Sequence, residues 1–478
     1  MGSKSNVTPR KQAPVLPPVL LSVTVVAPTS QASRGVLKDE GFDKVETVAQ
    51  LLADKKMQDR LKNQVLWVDE AGLLGTRDMS GLIDLAHRQN ARLILGGDTR
   101  QHASVARGDA LRILNTVGGI KSAEVSKIYR QKGEAYRSIV EDLSRGNVAQ
   151  AFQKLDDAGA IKEIDPLGPN TQLIDDYAET IRSGKSALVI SPTHEQGHEI
   201  TKSIRQNLQE SGHLGKKQVE AKQFVVLNLT TAQKADWRNL QQGHIVQFNQ
   251  NRAGIGRGSI WTITSSTDHN VFIRKEGDDE IIPLPTEHSD SYDIYRESKI
   301  ALAKGDLIRI TRNGFDNQKK RLNNGQILQV SSVRKSGAIA LHNPVSKAAY
   351  RLDQNFGHLA HAYCVTSHSS QGRTTDEVFL HQPSATFGAT DAKQIYVSVS
   401  RGRERIRIYT DYKDALLEHA KKISDRKSAI ELIVGAREAA MQHVREQMEK
   451  RPLQKEKEPI DIHKPIRVTK TKDHEPRI

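Results

Sequence analysis

The amino-acid sequence predicts an α/β protein built on parallel sheets, with a smaller antiparallel β region inserted into it. Two apolar runs, residues 66–68 and 93–95, each end abruptly in polar residues. A buried parallel strand ends in this way when it delivers side chains to the carboxyl edge of a sheet. Residues 76–89, between the two runs, are typical of a helix. Short alternating runs separated by Gly, Asn and Asp replace this pattern between about residues 218 and 349, which indicates antiparallel strands.

The order of these patterns predicts several domains. Residues 22–27 and 187–191 predict buried strands, and residues 123–128 predict a further one. We expect an irregular N-terminus (1–21), a first α/β domain (22–170), a second α/β domain in two parts (171–217 and 350–412), the inserted β region (218–349), a helical extension (413–449) and a disordered basic tail (450–478).

The composition favours a polyanionic partner. The chain of 478 residues carries 71 Lys and Arg against 57 Asp and Glu, a formal net charge of +14. Basicity alone is shared by many unrelated protein classes, so it indicates nucleic acid only in combination with other signals. No run of about 20 apolar residues occurs, so we expect no membrane-spanning helix.

Cysteine use and the N-terminus predict a cytoplasmic location. Cys364 is the one cysteine, which excludes an intrachain disulfide and a cysteine-rich zinc site. It lies in an apolar run and is expected to be a buried structural thiol. An apolar stretch at residues 13–27 is interrupted by Pro14, Pro17 and Pro18, which argues against a signal peptide.

The polar residues that follow the two opening strands predict a metal and water site. Asp69 and Glu70 directly follow the first strand, an arrangement in which one carboxylate holds Mg²⁺ and the other acts as a base. Asp98 and Gln101 follow the second, and the Gln101 amide is suited to sensing a phosphate. The alternative for each is an ordinary strand-end turn with exposed polar side chains.

Two arginines add candidate phosphate ligands. Arg130 follows the strand expected at 123–128, and Arg401 follows an apolar run far along the chain. A guanidinium in either place could face a phosphate, and Arg401 could act as an arginine finger from a second domain. Each residue alone also has a purely structural explanation.

Taken in order, these segments resemble the motifs of superfamily 1 helicases of the RecD-like, 5′→3′ group, most closely the helicase part of MobF-type conjugative relaxases. The resemblance covers about residues 22–411. Residues 27–32 (APTSQA) are similar to motif Ia, 68–71 (VDEA) to motif II, 97–101 (GDTRQ) to motif III, 129–131 (YRQ) to motif IV, 366–374 (TSHSSQGRT) to motif V and 399–403 (VSRGR) to motif VI.

The resemblance implies a fold, cofactors and residue roles. It implies two RecA-like domains, an SH3-like insertion in the second, and the use of ATP and Mg²⁺. It assigns Mg²⁺ to Asp69, water activation to Glu70, γ-phosphate sensing to Gln101 and charge neutralisation to Arg130 and Arg401. It places Asp98 and Gly372 beside the nucleotide, and Pro28, Thr29, Thr366, His368 and Ser370 along single-stranded DNA.

One expected motif is missing from the sequence. These enzymes carry a phosphate-binding loop, G-x-x-x-x-G-K-[ST], ahead of motif Ia, and residues 1–21 contain no such pattern. Gly184-Lys185-Ser186 is the nearest match, but Glu179 stands at its first glycine position and a strand follows it. We therefore expect a helicase truncated at its front.

Three functions stay open at this point. The first is an ATP-dependent 5′→3′ helicase or translocase on single-stranded DNA, working with conjugation or other DNA-processing proteins. The second is a catalytically inactive module that only binds single-stranded DNA. In the third, a separate chain supplies the missing loop.

A zinc-protease pattern, H-E-x-x-H, also occurs at residues 194–198. Both histidines would share one helical face. Gly197 weakens the helix and no third ligand is evident nearby, so this alternative is the weaker one.

Overall fold

The computed structural model describes residues 21–38, 41–42, 45–125, 127–166, 168–252, 254–267, 269–334 and 336–422. These residues form two compact units. The first unit comprises residues 21–99 and 103–123, and the second comprises residues 100–102 and 124–422. The expected disordered tail, all but the first part of the expected helical extension, and all but the last residue of the expected irregular N-terminus lie outside the described residues.

The first unit is built on a four-stranded parallel sheet in the order β2-β1-β3-β4. Its strands are β1 (Val23–Ala27), β2 (Val45–Thr47), β3 (Val65–Val68) and β4 (Arg92–Leu95). Its helices are α1 (Val48–Ala53), α2 (Lys55–Asp59), α3 (Thr76–Arg88) and α4 (Ala110–Thr116), with single helical turns at Ala32–Leu37 and Ala71–Leu73.

Sequence periodicity explains the packing of the first unit. Leu66 and Val68 alternate along β3 and face a core that includes Leu82 and Leu85 of the amphipathic helix α3. The register aligns Val68 with a residue near the end of β1 and with the last residue of β4. The carboxyl ends of β1, β3 and β4 therefore lie side by side at one edge of the sheet.

The second unit contains a five-stranded parallel sheet in the order β20-β6-β21-β22-β5. Its strands are β5 (Ile161–Glu163), β6 (Ala187–Ile190), β20 (Cys364–Val365), β21 (Thr375–His381) and β22 (Gly402–Thr410). The helices around it are α5 (Glu134–Arg145), α6 (Val148–Asp157), α7 (Thr171–Arg182), α8 (His194–Glu210), α10 (Ser367–Ser370), α11 (Ala392–Val399) and α12 (Lys413–Ala420).

Antiparallel sheets interrupt this α/β part, as the alternating runs predict. A six-stranded sheet has the order β11-β10-β9-β8-β12-β7, a five-stranded sheet has the order β18-β17-β16-β13-β19, and β14 pairs with β15. The elements are β7 (Gln218–Val226), α9 (Thr231–Ala235), β8 (Ile245–Phe248), β9 (Ile260–Thr267), β10 (Asn270–Lys275), β11 (Ile281–Pro283), β12 (Tyr292–Ala303), β13 (Leu307–Ile310), β14 (Gly314–Phe315), β15 (Arg321–Leu322), β16 (Ile327–Val333), β17 (Ile339–His342), β18 (Ala349–Leu352) and β19 (Leu359–His361).

The predicted fold class is confirmed: two parallel α/β sheets with antiparallel sheets between the strands of the second. The described helices include none that is long and apolar enough to cross a membrane. The strand expected at 123–128 was wrong. The described residues of that range have no regular structure, Val125 is 87% exposed, and only Ile128 packs against a core.

Residues 124–170, which the sequence analysis places with the first domain, lie in the second unit. Strand β5 pairs with β22 through Ile161 and Ile408, and Phe152 of α6 packs in the same core. In the structure, helices α4, α5 and α6 follow one another between β4 and β5. The strand expected at 123–128 concealed this interruption, so the sequence pattern carries no signal for the change of unit.

We expect Gly108→Ala to destabilise the first unit more than Gly41→Ala. Both glycines have positive φ angles, 90° and 94°. A Cβ on Gly108 would lie 1.9 Å from Thr76 Oγ1, whereas no atom of the described residues lies within 4 Å of one on Gly41. The steric term should add about 1–3 kcal/mol to the loss in free energy of unfolding, measured by urea denaturation. Equal losses in the two variants would contradict this packing.

Candidate functional site

The first unit presents an acidic edge where its strands end. The Asp69 N–H donates to the Val26 carbonyl at 2.9 Å, the Gly96 N–H donates to the Val68 carbonyl at 2.8 Å, and the Ala71 N–H donates to the Gly96 carbonyl at 2.8 Å. The segment after β3 is therefore bonded on both sides to its neighbours. Asp69 and Glu70 stand at the carboxyl edge of the sheet, where parallel α/β folds place their functional groups.

Asp69 has a raised pKa and Glu70 has a left-handed backbone conformation. Both side chains are half-buried. Burial raises the pKa of the Asp69 carboxyl, and a backbone hydrogen bond from Glu70 partly opposes this. Glu70 has φ 51° and ψ 36°, the left-handed conformation that a residue with a side chain adopts at a cost of order 1 kcal/mol. Desolvation of Asp69 would be relieved by a bound cation.

Asp98 reaches this edge because the loops after β3 and β4 touch through their backbones. A Cβ on Gly97 would lie 2.9 Å from the Gly72 nitrogen and 3.1 Å from the Ala71 nitrogen. Only glycine permits this approach. A Cβ on Gly72 would in turn lie 3.2 Å from the carbonyl oxygen of Asp98.

The acidic edge carries the type of ligand that a hard divalent cation takes. Asp69 and Asp98 would supply carboxylate oxygens to a Mg²⁺ that keeps several waters. The part of the chain that the structure describes contains no group of three or more His, Cys, Asp or Glu side chains arranged for a metal.

The second unit brings the two predicted phosphate-facing arginines into one neighbourhood. Arg130 Nη1 donates to the Ser400 carbonyl at 3.0 Å, and Gln131 Nε2 donates to the carbonyls of Ser400 at 3.2 Å and Gly402 at 2.8 Å. The segment after residue 129 is thus bonded to the turn between α11 and β22. Arg401 lies in that turn.

Arg401 is held inside the protein. Its side chain is 1% exposed, Nε donates to the Val397 carbonyl at 2.9 Å, and Nη2 donates to Ser400 Oγ at 2.8 Å. Tyr136 donates to the Val399 carbonyl at 2.5 Å, and burial raises the pKa of Tyr136 although the charges of Arg401 and Arg130 oppose the rise. A finger role requires Arg401 to leave these acceptors.

The predicted DNA-facing residues differ in exposure. Thr29 is exposed, and its hydroxyl accepts from the Ala32 N–H at 3.1 Å; Pro28 is half-buried. Thr366 is half-buried and caps α10 by accepting from the Ser369 N–H at 3.4 Å. These side chains shape the starts of helical turns, with their outer faces accessible.

The other residues that the sequence analysis selects from residues 366–374 also differ in exposure. His368 is exposed and Gly372 adopts φ 77°, with nothing within 4 Å of a Cβ built on it. Ser370 has no exposed surface and donates to the Ser367 carbonyl at 2.7 Å. The hydroxyl of Ser370 therefore stabilises the turn, because a buried hydroxyl needs an acceptor and the Ser367 carbonyl of the same short helix provides it.

The contact between His102 and His368 could not be predicted from the sequence. The ring of His102 stacks on that of His368 with centroids 3.7 Å apart and an interplanar angle of 11°, and His102 Nε2 lies 2.8 Å from Ser367 Oγ. Ser367 Oγ accepts a hydrogen bond from Ser398 Oγ at 3.3 Å and donates one to the Gln394 carbonyl at 3.3 Å. A buried polar network thus connects the loop after Gln101 with motif V and with α11, which precedes Arg401.

His194 and His198 lie one turn apart on α8, as the H-E-x-x-H pattern predicts. Among the described residues no third His, Cys, Asp or Glu joins them in a metal-binding group.

Comparisons with known proteins follow the same order along the chain. The family model of the AAA domain matches residues 11–166, and that of the UvrD-like helicase C-terminal domain matches residues 361–409. The conjugal transfer protein TraA of Agrobacterium fabrum is 29% identical over 187 residues, which is 39% of this chain and 17% of TraA. The multifunctional conjugation protein TraI of Escherichia coli is 22% identical over 443 residues, which is 81% of this chain and 24% of TraI.

The chain spans about a quarter or less of the length of these curated relatives. Among solved structures, Pif1 helicase from Bacteroides in complex with ADP-AlF3 and ssDNA is 14% identical, with a TM-score of 0.35, and the alignment covers 90% of this chain and 88% of that one. Pif1 helicase from Candida albicans is 13% identical, with a TM-score of 0.36 and the same coverage. The UvrD-like helicase family model and the matches to conjugation proteins confirm the predicted resemblance to helicases and to the proteins of conjugation.

We expect His102→Phe to keep the ring stack and remove a titrating group. Burial, aided by the charges of His368, Arg401 and Lys393, lowers the pKa of His102 to about 3, against 6.5 for a free histidine. Below pH 6.5 the unfolded chain therefore takes up a proton that the folded protein excludes, and stability falls as pH falls.

The measurement is the difference in free energy of unfolding between wild type and His102→Phe. It should shrink by about 1 kcal/mol between pH values of about 7.5 and 5.5, because only the wild type carries this proton linkage. A constant difference across that range would show that His102 is not held neutral in the folded protein.

Proposed function

We propose that the chain is an ATP-dependent 5′→3′ DNA helicase or translocase of the conjugative relaxase-helicase type, acting on single-stranded DNA. The observation that carries the proposal is the acidic edge of the first unit, where Asp69, Glu70 and Asp98 follow neighbouring parallel strands whose loops touch through their backbones. The first unit would be the first RecA-like domain. The second unit would be the second RecA-like domain, with the antiparallel sheets as its SH3-like insertion.

The residues present divide the work of hydrolysis between them. A bound Mg²⁺ would supply charge neutralisation at the phosphates. Asp69 and Asp98 would hold it, and the Glu70 carboxylate would take a proton from water. Gln101 would sense the terminal phosphate. Arg130, whose Nη1 donates to the Ser400 carbonyl, would neutralise charge on a phosphate.

Arg401 gives the second unit a possible change of state. Its Nε and Nη2 are engaged with the Val397 carbonyl and with Ser400 Oγ. We propose that a phosphate bound by Arg401 competes with these acceptors and shifts the turn between α11 and β22. Ser398 in α11 reaches Ser367 of motif V through hydroxyl groups 3.3 Å apart, so the shift would be felt where DNA is proposed to bind.

A second candidate function is that the chain binds single-stranded DNA without hydrolysing ATP. The excess of Lys and Arg over Asp and Glu supports it, because binding of a polyanion requires positive charge and no nucleotide. Either function fits a cytoplasmic protein with a net charge of +14 that works beside other conjugation or DNA-processing proteins.

Glu70→Gln separates the two functions. It should lower ATP hydrolysis, measured with and without single-stranded DNA, by about 100-fold or more, because a general base contributes roughly 10²–10⁴ in rate. DNA binding should be retained. Asp84→Asn is the matched control, since it removes an exposed carboxylate of α3 in the same unit.

If the wild type hydrolyses no ATP yet binds single-stranded DNA in a salt-sensitive way, the binding module is the correct function. Polarity has its own test. Duplexes with a 5′ single-stranded tail should be unwound and those with only a 3′ tail should not, and unwinding of the 3′-tailed duplex alone would contradict the proposed direction.

A further inference from the structure

The sheet of the first unit has an open outer edge at β4. Strand β4 is the last one in the order β2-β1-β3-β4, and no strand of the described residues pairs with its other side. The N–H groups of Arg92 and Gly96 donate towards β3, each to a carbonyl at 2.8 Å. Because the direction of the backbone groups alternates along a strand, those of Leu93 and Leu95 point to the open side. Such a row of N–H and C=O groups is a template for another strand.

The face of β3 and β4 next to this edge is apolar and incompletely covered. Trp67 and Ile94 are register partners and therefore share one face of the sheet. Trp67 is 41% exposed and Ile94 is half-buried, whereas Leu66 on the opposite face is fully buried. On the Trp67 face, Val25 of β1 packs against the helical turn at Ala32–Leu37. Since parallel sheets normally have both faces covered, an apolar surface remains available beside β4.

The charges at the two ends of β4 are opposite. Natural edge strands are protected from pairing by Lys, Pro or a bulge, and residues 93–95 contain none of these. Strand β4 begins at the exposed Arg92. Past its carboxyl end, a Cβ on Gly96 would lie 3.6 Å from Asp69 Oδ1, on the acidic edge. An antiparallel copy of β4 would therefore bring the basic end of each strand to the acidic end of the other.

We propose that two copies of this chain pair through the outer edges of β4, antiparallel and about a two-fold axis at Ile94. Leu93 of each copy would exchange both backbone hydrogen bonds with Leu95 of the other. Ile94 would face Ile94 of the second copy in a non-hydrogen-bonded pair. The two four-stranded sheets would become one continuous sheet, and the contact would be isologous, so that it closes at two copies.

Arg92 gives this pairing its charge complementarity. In the proposed register Arg92 lies opposite Gly96 of the second copy, with its side chain on the same face of the sheet. The guanidinium would reach Asp69 of the second copy, because Asp69 Oδ1 lies 3.6 Å from a Cβ at Gly96. Burial raises the pKa of the Asp69 carboxyl, and a guanidinium beside it would favour the charged form. The dimer would thus close the acidic edge of each copy with an arginine of the other.

Sedimentation equilibrium of the full chain in metal-free buffer measures the association. The wild type should show a monomer–dimer equilibrium with a dissociation constant of order 10 μM, because a strand of 4 residues forms a small interface. Ile94→Lys should weaken association at least about tenfold, since it places like charges opposite each other at the axis. Ile83→Lys is the matched control, because it puts the same charge on an apolar residue of α3 that is 40% exposed, and it should leave association unchanged.

A double-mutant cycle tests the contact of Arg92 with Asp69 of the second copy. Arg92→Gln and Asp69→Asn should each weaken association about two- to fivefold, the range for an exposed ion pair. The double variant should associate no more weakly than either single variant, because both changes remove the same contact. Fully additive losses would overturn this contact and the proposed register with it.

Disulfide formation tests the position of the axis. Two cysteines at a non-hydrogen-bonded antiparallel pair have Cα atoms about 4.5 Å apart, within the range of a disulfide. Oxidised glutathione should therefore convert Ile94→Cys to a covalent dimer. Burial raises the pKa of the native Cys364 thiol to about 12, so that this thiol stays unreactive. Ile94→Cys introduces no charge, so it still decides the proposal if Ile94→Lys fails to fold.

Arg92→Cys is the matched control for cross-linking. Position 92 is more exposed than position 94, but its two copies would lie about 13 Å apart along the strands, too far for a disulfide. Arg92→Cys should therefore form no covalent dimer. Equal cross-linking of the two variants, or cross-linking of Arg92→Cys alone, would overturn the antiparallel register.

None of these measurements uses nucleotide or DNA, so they decide the inference whether or not the proposed function holds. A wild type that stays monomeric up to about 100 μM overturns the dimer. Association that Ile94→Lys leaves unchanged belongs to another surface and overturns the pairing through β4.

Discussion

The candidate site depends on a backbone contact between two loops. The Ala71 N–H donates to the Gly96 carbonyl, and Gly97 approaches the Gly72 nitrogen so closely that no side chain fits. This contact brings Asp98 beside the segment that carries Asp69 and Glu70. It also explains why Glu70 takes a left-handed conformation, because the chain must turn within one residue of the strand to make the bond. The strands position the loops, and the glycines let the loops meet.

The second unit uses carbonyl groups for a similar purpose. Arg130, Gln131 and Arg401 all donate to carbonyls of one turn, and the acceptors lie at Val397, Ser400 and Gly402. Such bonds are satisfied without a ligand and can be exchanged for bonds to phosphate at modest net cost. Nε of Arg309 and the three guanidinium nitrogens of Arg373 are the opposite case, because they have no hydrogen-bond acceptor among the described residues.

The sequence was sufficient to predict the fold class because buried parallel strands and alternating antiparallel strands have different patterns. The order of Asp69, Arg130 and Arg401 along the chain also predicts them as site residues, and their roles stay predictions. The prediction of a strand at 123–128 was wrong because an apolar run forms a strand only where a neighbouring strand is available to pair with it. Ser370 illustrates a further limit: a motif identifies a hydroxyl, but the one-turn helix decides that it points inward. The stack of His102 on His368 could not be foreseen, because a separation of about 265 residues leaves no local pattern.

The central claim is that the acidic edge of the first unit is a divalent cation site, and binding of Mn²⁺ tests it most directly. Electron paramagnetic resonance of the full chain titrated with Mn²⁺ should show a bound ion that Mg²⁺ displaces. Asp69→Asn should weaken binding at least about tenfold, because it removes one of the two carboxylates that we propose as ligands of the ion. Asp84→Asn, on the exposed face of α3, should leave it unchanged. Equal binding by wild type and Asp69→Asn would contradict the account.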